Sequence, residues 1–319
     1  MNPFTPSNDR RSFLKQVATL GGAALAGSGT LAFGADWKAQ IGLELYTVRD
    51  LIAKDYEGVL TKVAELGYKE IEPATSYGNM EPKQFRALID RLGLSMPSTH
   101  VGATEGPDLE KQLEGFQIMG IKFTEVRAPQ PARGPAGAPA RGPAAAGARP
   151  PQTEEQIKRQ AADLNRHGAV VKKFGMKMLM HNHTMEFAPL EGSTRRPYDI
   201  LLAETDPSLV AMQLDIGWAS VAGQNILEMF AKNPGRFELW HVKDANGIKA
   251  MPPDMPQAQR QRTAKLVPVG EGEIDYKAIF AKAPQAGMKH FCVEQDNAID
   301  GDSIAAAKTS FQNLRKILS

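Results

Sequence analysis

Four short segments of the chain each set a histidine or a carboxylate directly behind an apolar run. They are Leu179-Met180-His181-Asn182-His183, Gln213-Leu214-Asp215-Ile216-Gly217, Leu239-Trp240-His241-Val242-Lys243-Asp244 and Cys292-Val293-Glu294-Gln295-Asp296. His181, Asp215, His241 and Glu294 follow one another at 34, 26 and 53 residues. Two imidazoles and two carboxylates without a thiolate suit a borderline or hard divalent ion such as zinc, manganese, iron or cobalt. Such an ion polarises a carbonyl and makes the neighbouring C–H acidic enough for a side-chain base. Of the six histidines, His100, His181, His183 and His241 end predicted strands, His290 begins one and His167 falls on a helix. A single barrel histidine is more often a hydrogen-bonded core residue. The information lies in the bias of four of them towards strand ends.

The spacing of these segments fits βα units, in which the C-terminal ends of parallel strands converge on one mouth. Eight strands are expected: Ile41–Thr47, Lys69–Pro73, Leu94–His100, Ile121–Arg127, Met176–Asn182, Val210–Ile216, Phe237–Lys243 and Lys289–Glu294. Helices are expected between and after them, near 56–66, 81–92, 107–118, 153–174, 197–204, 223–232, 275–286 and 302–317. Thr153 with Gln156 reads as a capping box, and Pro82 suits a first helical turn. Alternation of this kind predicts an α/β fold, a single-domain (β/α)8 TIM barrel, over residues 37–319. Residues 128–151, rich in Pro, Ala and Gly, interrupt the rhythm as a flexible insert after the fourth strand. Gly247–Val267 reads as a second irregular stretch bordering the mouth.

Further residues at the mouth are candidates for holding a substrate. His100 closes the third expected strand, and Glu125 with Arg127 the fourth. Lys243 shares a strand face with His241. Glu271 lies in a Gly-flanked turn, where it either meets sugar hydroxyls or serves helix entry. Trp218 either stacks on a sugar ring or covers the barrel rim. Glu72, at the end of the second strand, either faces the mouth or caps the next helix.

The bulk numbers are those of a globular protein: 319 residues, 42% hydrophobic, 23% charged and a formal net charge of +2. They make no case for nucleic acid or an anionic membrane as partner. The one cysteine, Cys292, sits in an apolar run and is expected to be buried and structural. Arg10-Arg11 with Phe13-Leu14-Lys15, followed by a Gly/Ala-rich apolar stretch, looks like a twin-arginine export signal. Residues 1–36 are therefore set apart as a signal peptide. A periplasmic or secreted location follows, with no stable membrane anchor. A homo-oligomer remains compatible with the sequence.

Several motifs together resemble the sugar phosphate isomerase/epimerase family, with its xylose-isomerase-like barrel. They are Ile41-Gly42-Leu43-Glu44-Leu45-Tyr46-Thr47, His181-Asn182-His183, Leu214-Asp215-Ile216-Gly217-Trp218, His241-Val242-Lys243-Asp244, Gly270-Glu271-Gly272 and Val293-Glu294-Gln295-Asp296. The resemblance implies a divalent metal, manganese foremost, held by His181, Asp215, His241 and Glu294, with Glu294 also acting on the substrate. It implies an isomerase or epimerase that abstracts a proton beside the carbonyl of a sugar or keto-sugar. His181 stands where the family usually has a glutamate, so Glu294 lacks a second carboxylate facing it. A histidine base, His181 or His183, then shares the proton transfer, and His183 is the candidate catalytic residue beside Glu294. The alternative is a lyase or dehydratase that eliminates from a 3-keto-glycoside or inosose, and a non-catalytic periplasmic sugar-binding protein stands behind both.

Overall fold

The computed structural model describes residues 37–129, 152–297 and 302–319. The Arg10-Arg11 segment and nearly all of the 128–151 insert lie outside these residues. The strands are β1 Gly42–Glu44, β2 Glu70–Glu72, β3 Ala103–Thr104, β4 Phe123–Thr124, β5 Val126–Arg127, β6 Lys177–His181, β7 Val210–Asp215, β8 Leu239–Val242, β9 Asp244–Asn246, β10 Lys265–Val267 and β11 His290–Val293. Seven of them form one sheet in the order β2-β1-β11-β8-β7-β6-β4, and every pairing is parallel.

The eighth position is filled by the segment expected as the third strand. It makes only isolated parallel bridges, Ser95 to Glu70 on one side and Ser98 to Phe123 on the other. Pro97 explains the weak ladder: it has no N–H to donate, although its carbonyl accepts from the amides of Lys122 and Phe123 at 2.8 and 3.0 Å. These bridges join β2 to β4 and close the sheet into a barrel.

Side chains alternate in and out along each strand, so a barrel strand buried on both faces has two separate packing duties. On β6 to β8 the outward set includes Met178, Met180, Val210, Met212, Leu214, Trp240 and Val242, which join the large core shared with the helices. Burying each large apolar side chain in that layer stabilises the fold by roughly 1.5–3 kcal/mol. Phe123, Leu179, Ala211 and Leu239 form a cluster of their own and fill the barrel interior. His181, Gln213 and His241 lie two residues beyond Leu179, Ala211 and Leu239, so the same parity carries them into the barrel one layer higher.

The helices follow the expected rhythm closely. Tyr56–Leu66 is capped by Asp55, and Glu154–Lys172 carries the Thr153–Gln156 capping box. Several details differ: the expected fourth strand is split into β4 and β5, which lie in different sheets, and the expected helix at 275–286 is two short ones, Tyr276–Phe280 and Ala283–Ala286. Chain expected to extend the first strand to Thr47 instead turns at Glu44 into a 3-10 helix, Leu45–Val48, because the Glu44 carboxylate accepts from the Tyr46 amide. A helix, Ile216–Val221, starts at the last residue of the expected sixth strand, capped by Asp215. The stretch 247–267 is more ordered than its composition suggests: it holds a helix, Gln257–Thr263, and β10, which pairs antiparallel with β9. No helix among the described residues is long and apolar enough to cross a membrane.

Candidate metal centre

His181 ends β6, Asp215 ends β7, His241 lies on β8 and Glu294 follows β11. One ligand atom from each of these four residues lies within 4.8 Å of the others. Asp215 performs two tasks. Its Oδ1 accepts from the Trp218 amide at 2.7 Å and starts the helix, which leaves Oδ2 facing His181 Nε2 at 3.4 Å. Asn182 locks the neighbouring strand ends together: its Oδ1 accepts from the Asp215 amide and its Nδ2 donates to the Asp215 carbonyl.

His241 is held between two carboxylates. Its Nε2 faces Glu72 Oε2 at 2.5 Å, and its Nδ1 faces Glu294 Oε2 at 2.7 Å. Alignment across the second contact is poor: His241 Nδ1 and Glu294 Oε2 are both buried without a hydrogen-bond partner among the described residues. Buried polar atoms are costly to leave unmatched. Glu294 Oε2 also lies 2.9 Å from the Lys243 ammonium, and an imidazole nitrogen and a carboxylate oxygen converging from β8 and β11 are of the kinds that hold a divalent ion. Glu72 then holds His241 from the far side, the place where a metal-ligating histidine commonly meets a carboxylate.

A second layer supports the first. Gln213 Nε2 donates to both Glu72 oxygens, at 2.8 and 3.0 Å. That orientation turns Gln213 Oε1 towards His100 Nε2, 2.8 Å away. His100 Nδ1 faces Glu125 Oε1 at 2.9 Å, and Arg127 Nε donates to Glu125 Oε2. Both ring nitrogens of His100 therefore face acceptors, which calls for the doubly protonated imidazolium. Glu72, His100 and His241 also form a second close-set triad that shares His241 with the first cluster.

The electrostatics agree with this layout. Burial alone would raise Glu72, but the charges of His100 and His241 pull its pKa down to about 2. Burial lowers His100, and Glu72 with Glu125 more than reverses that, so its pKa is raised. His181 goes the other way: burial, then the positive charges of His241 and His100, hold it well below the ordinary histidine range as a neutral imidazole. Burial opposes ionisation of Glu294, yet the Lys243 ammonium and His241 keep it well below the usual carboxylate range. Glu44 at the end of β1 is raised far above it by burial and by the charge of Glu294.

The remaining candidates divide into two groups. Lys243 is fully buried beside the cluster, and Trp218, also buried, lies with its ring centroid 5.1 Å from the ammonium. His100 and Glu125 belong to the supporting layer. His183 is exposed at the mouth, its ring centroid 4.9 Å from that of His181. Glu271 is exposed on its turn, and the residue that holds the turn is Asp244, which accepts from the amides of Gly270, Gly272 and Ile274. A Cβ on Gly272 would come within 2.1 Å of Asp244 Oδ1, so the second glycine lets the turn close on that carboxylate. Glu72 faces inwards; the next long helix is capped by Glu81 and begins at Pro82. Sequence reasoning gave no task to Glu44, Gln213 or Asp296. Their signal was parity, since each sits an even number of residues from an inward-facing neighbour. Cys292 is buried, and burial raises its thiol well above the ordinary range.

Fold and site together define a parallel α/β barrel with a mixed imidazole–carboxylate cluster at the C-terminal ends of its strands. The chain belongs to the xylose isomerase-like TIM barrel family, whose profile matches residues 60–317. It is 27% identical over 269 residues to an inosose dehydratase of Geobacillus kaustophilus, covering 76% of this chain and 80% of that protein. An inosose dehydratase of Clostridium perfringens is 30% identical over 157 residues, 46% of this chain and 50% of the relative. Among solved structures, a sugar phosphate isomerase/epimerase from Parabacteroides distasonis superposes with a TM-score of 0.64 at 21% identity, covering 85% of this chain and 96% of that one. The IOLI protein with a bound zinc atom superposes with a TM-score of 0.60 at 14% identity, covering 88% and 98%. At these identities the superpositions speak for the fold alone.

Proposed function

We propose that the chain is a metal-dependent lyase that eliminates water, or another β-leaving group, from a cyclic polyol ketone or a 3-keto-glycoside. The observation that carries this reading is the four-residue cluster itself, in which His181, Asp215, His241 and Glu294 each bring one ligand atom within 4.8 Å of the others. His181, Asp215, His241 and Glu294 would hold the ion. When bound, it would supply Lewis acidity towards a carbonyl oxygen. Glu294, kept ionised by Lys243 and His241, accepts the proton from the carbon next to the carbonyl. His183, exposed at the rim, gives a proton to the departing β-hydroxyl, which leaves as water. Lys243 and Trp218 shape the inner wall, and the His100–Glu125–Arg127 set stiffens the other side.

Two considerations favour elimination over isomerisation or epimerisation. Epimerisation by two facing carboxylates needs a partner for Glu294 at the end of β6, and that place holds His181. A relative matched over 80% of its length is an inosose dehydratase, and the site offers a carboxylate to take the proton and a separate imidazole to give one to the leaving hydroxyl. The decisive experiment joins metal analysis to incubation with inososes and 3-keto-glycosides in deuterated water. Loss of water or aglycone by mass supports the lyase. Exchange of a C–H for deuterium with no loss of mass replaces it with the isomerase.

We also infer export through the twin-arginine route, supported by Arg10-Arg11 and the apolar stretch behind them. Phosphorylated sugars are scarce outside the cytoplasm, so a free or glycosidic keto-sugar is the fitting substrate. Replacing both arginines by lysine and following the protein in cell fractions tests this, with retention in the cytoplasm expected.

A further inference from the structure

Lys243 is a fully buried cation beside the cluster, with 1% of its side chain exposed. Its ammonium lies 3.2 Å from Asp215 Oδ2, 2.9 Å from Glu294 Oε2 and 2.8 Å from Asp296 Oδ2. The first two oxygens belong to residues of the metal set. The third does not: Asp296 is 23% exposed and lies on the solvent side of the cluster. The position of Lys243 is built rather than incidental. Tyr276 donates its hydroxyl to the Lys243 carbonyl. Gly217 lets the following helix pack against it, since a Cβ there would come within 2.4 Å of Lys243 Cβ. The Trp218 ring faces the ammonium, and Arg49 fixes the Asp296 backbone by donating to its carbonyl at 2.6 Å.

We infer that Lys243 is an internal cation that competes with the divalent ion for Asp215 and Glu294, and that Asp296 is the anchor drawing it aside when the ion binds. An ammonium and a divalent ion sharing the same two oxygens repel each other strongly in a buried setting. The carboxylates have enough negative charge for both cations only if Lys243 leans towards Asp296. The pair would thus set how tightly the centre holds its ion, with Lys243 weakening binding and Asp296 limiting that weakening. This inference rests on the metal site proposed above.

The test is a double-mutant cycle on the full chain, with Lys243→Met, Asp296→Asn and the double variant, reading Mn2+ and Zn2+ dissociation constants by competition with a fluorescent chelator. Met keeps the length of Lys in a buried slot, and thermal melting checks that each variant folds. If Lys243→Met does not fold, Lys243→Gln takes its place. Lys243→Met is expected to bind the ions at least about tenfold more tightly. Asp296→Asn is expected to bind them several-fold more weakly, and that loss should vanish once Lys243 is replaced. Unchanged or weaker binding in Lys243→Met overturns the inference. So does an Asp296→Asn effect of equal size in both backgrounds, because Asp296 would then act on the ion as a plain charge. Absence of ion binding in all four proteins overturns the metal site itself along with the inference.

Discussion

The two ends of the barrel use the same kinds of residue to opposite effect. At the N-terminal ends of the strands every buried carboxylate meets a matched partner. Glu70 accepts from His290 Nδ1 at 2.9 and 3.0 Å. Glu238 lies between Lys177 and Lys289, each 2.5 Å from a different carboxylate oxygen. At the C-terminal ends, Glu72, Asp215, Glu294 and Asp296 crowd around His181, His241 and Lys243, and His241 Nδ1 and Glu294 Oε2 meet at 2.7 Å without a well-aligned hydrogen bond. A closed set of pairs at the bottom spends its charges on holding strand ends together. At the mouth the carboxylates share a few cations, so that Lys243 alone faces Asp215, Glu294 and Asp296. The two ends differ less in charge content than in arrangement: separate ion pairs at the bottom, one shared cluster at the mouth.

The largest effect expected from this contrast is loss of metal. Asp215→Ala and His241→Ala should each lower bound metal to background by plasma emission while the barrel still melts cooperatively. Asp215→Ala also removes a helix cap worth about 1 kcal/mol. Stoichiometric metal in both variants would contradict the site. Next in size, Glu294→Gln should retain part of the metal yet lose turnover by roughly 10²–10⁴-fold, the usual weight of a positioned proton-transfer group. Normal turnover in that variant would remove Glu294 from the chemistry. A smaller effect is expected one layer out: Glu72→Gln should weaken metal binding by about 10–100-fold in a chelator titration, since it steadies His241. Smallest is the bottom of the barrel, where Glu238→Ala should cost about 1–3 kcal/mol in denaturant unfolding and leave metal affinity unchanged. A change in metal affinity there would dissolve the distinction between the two ends.

The placement of strands and helices was largely legible, because strands buried on both faces leave apolar runs and long helices carry their caps in the local sequence. Thr153 with Gln156 and Asp55 before Tyr56 are readable in this way. The third strand was readable as a segment but not as a ladder, since Pro97 lets it contribute only bridges. The four ligand candidates were legible for a related reason: each ends an apolar run, and a parallel barrel sends all such ends to one mouth.

What the sequence determined by itself is therefore the parity and order of the strands, and with them the set His181, Asp215, His241 and Glu294. Only the tertiary structure decided their partners. Glu72 and His241 are 169 residues apart, and Gln213 and His100 are 113 apart. No local pattern in the chain announces that these four side chains share one wall. Closing the barrel brings β2 and the Pro97 segment round to face β7 and β8, and that closure makes Glu72 a support for His241 rather than a helix cap. The same closure sets Lys243 among three carboxylates, because contact across a barrel depends on where strands meet in space and not on their distance along the chain.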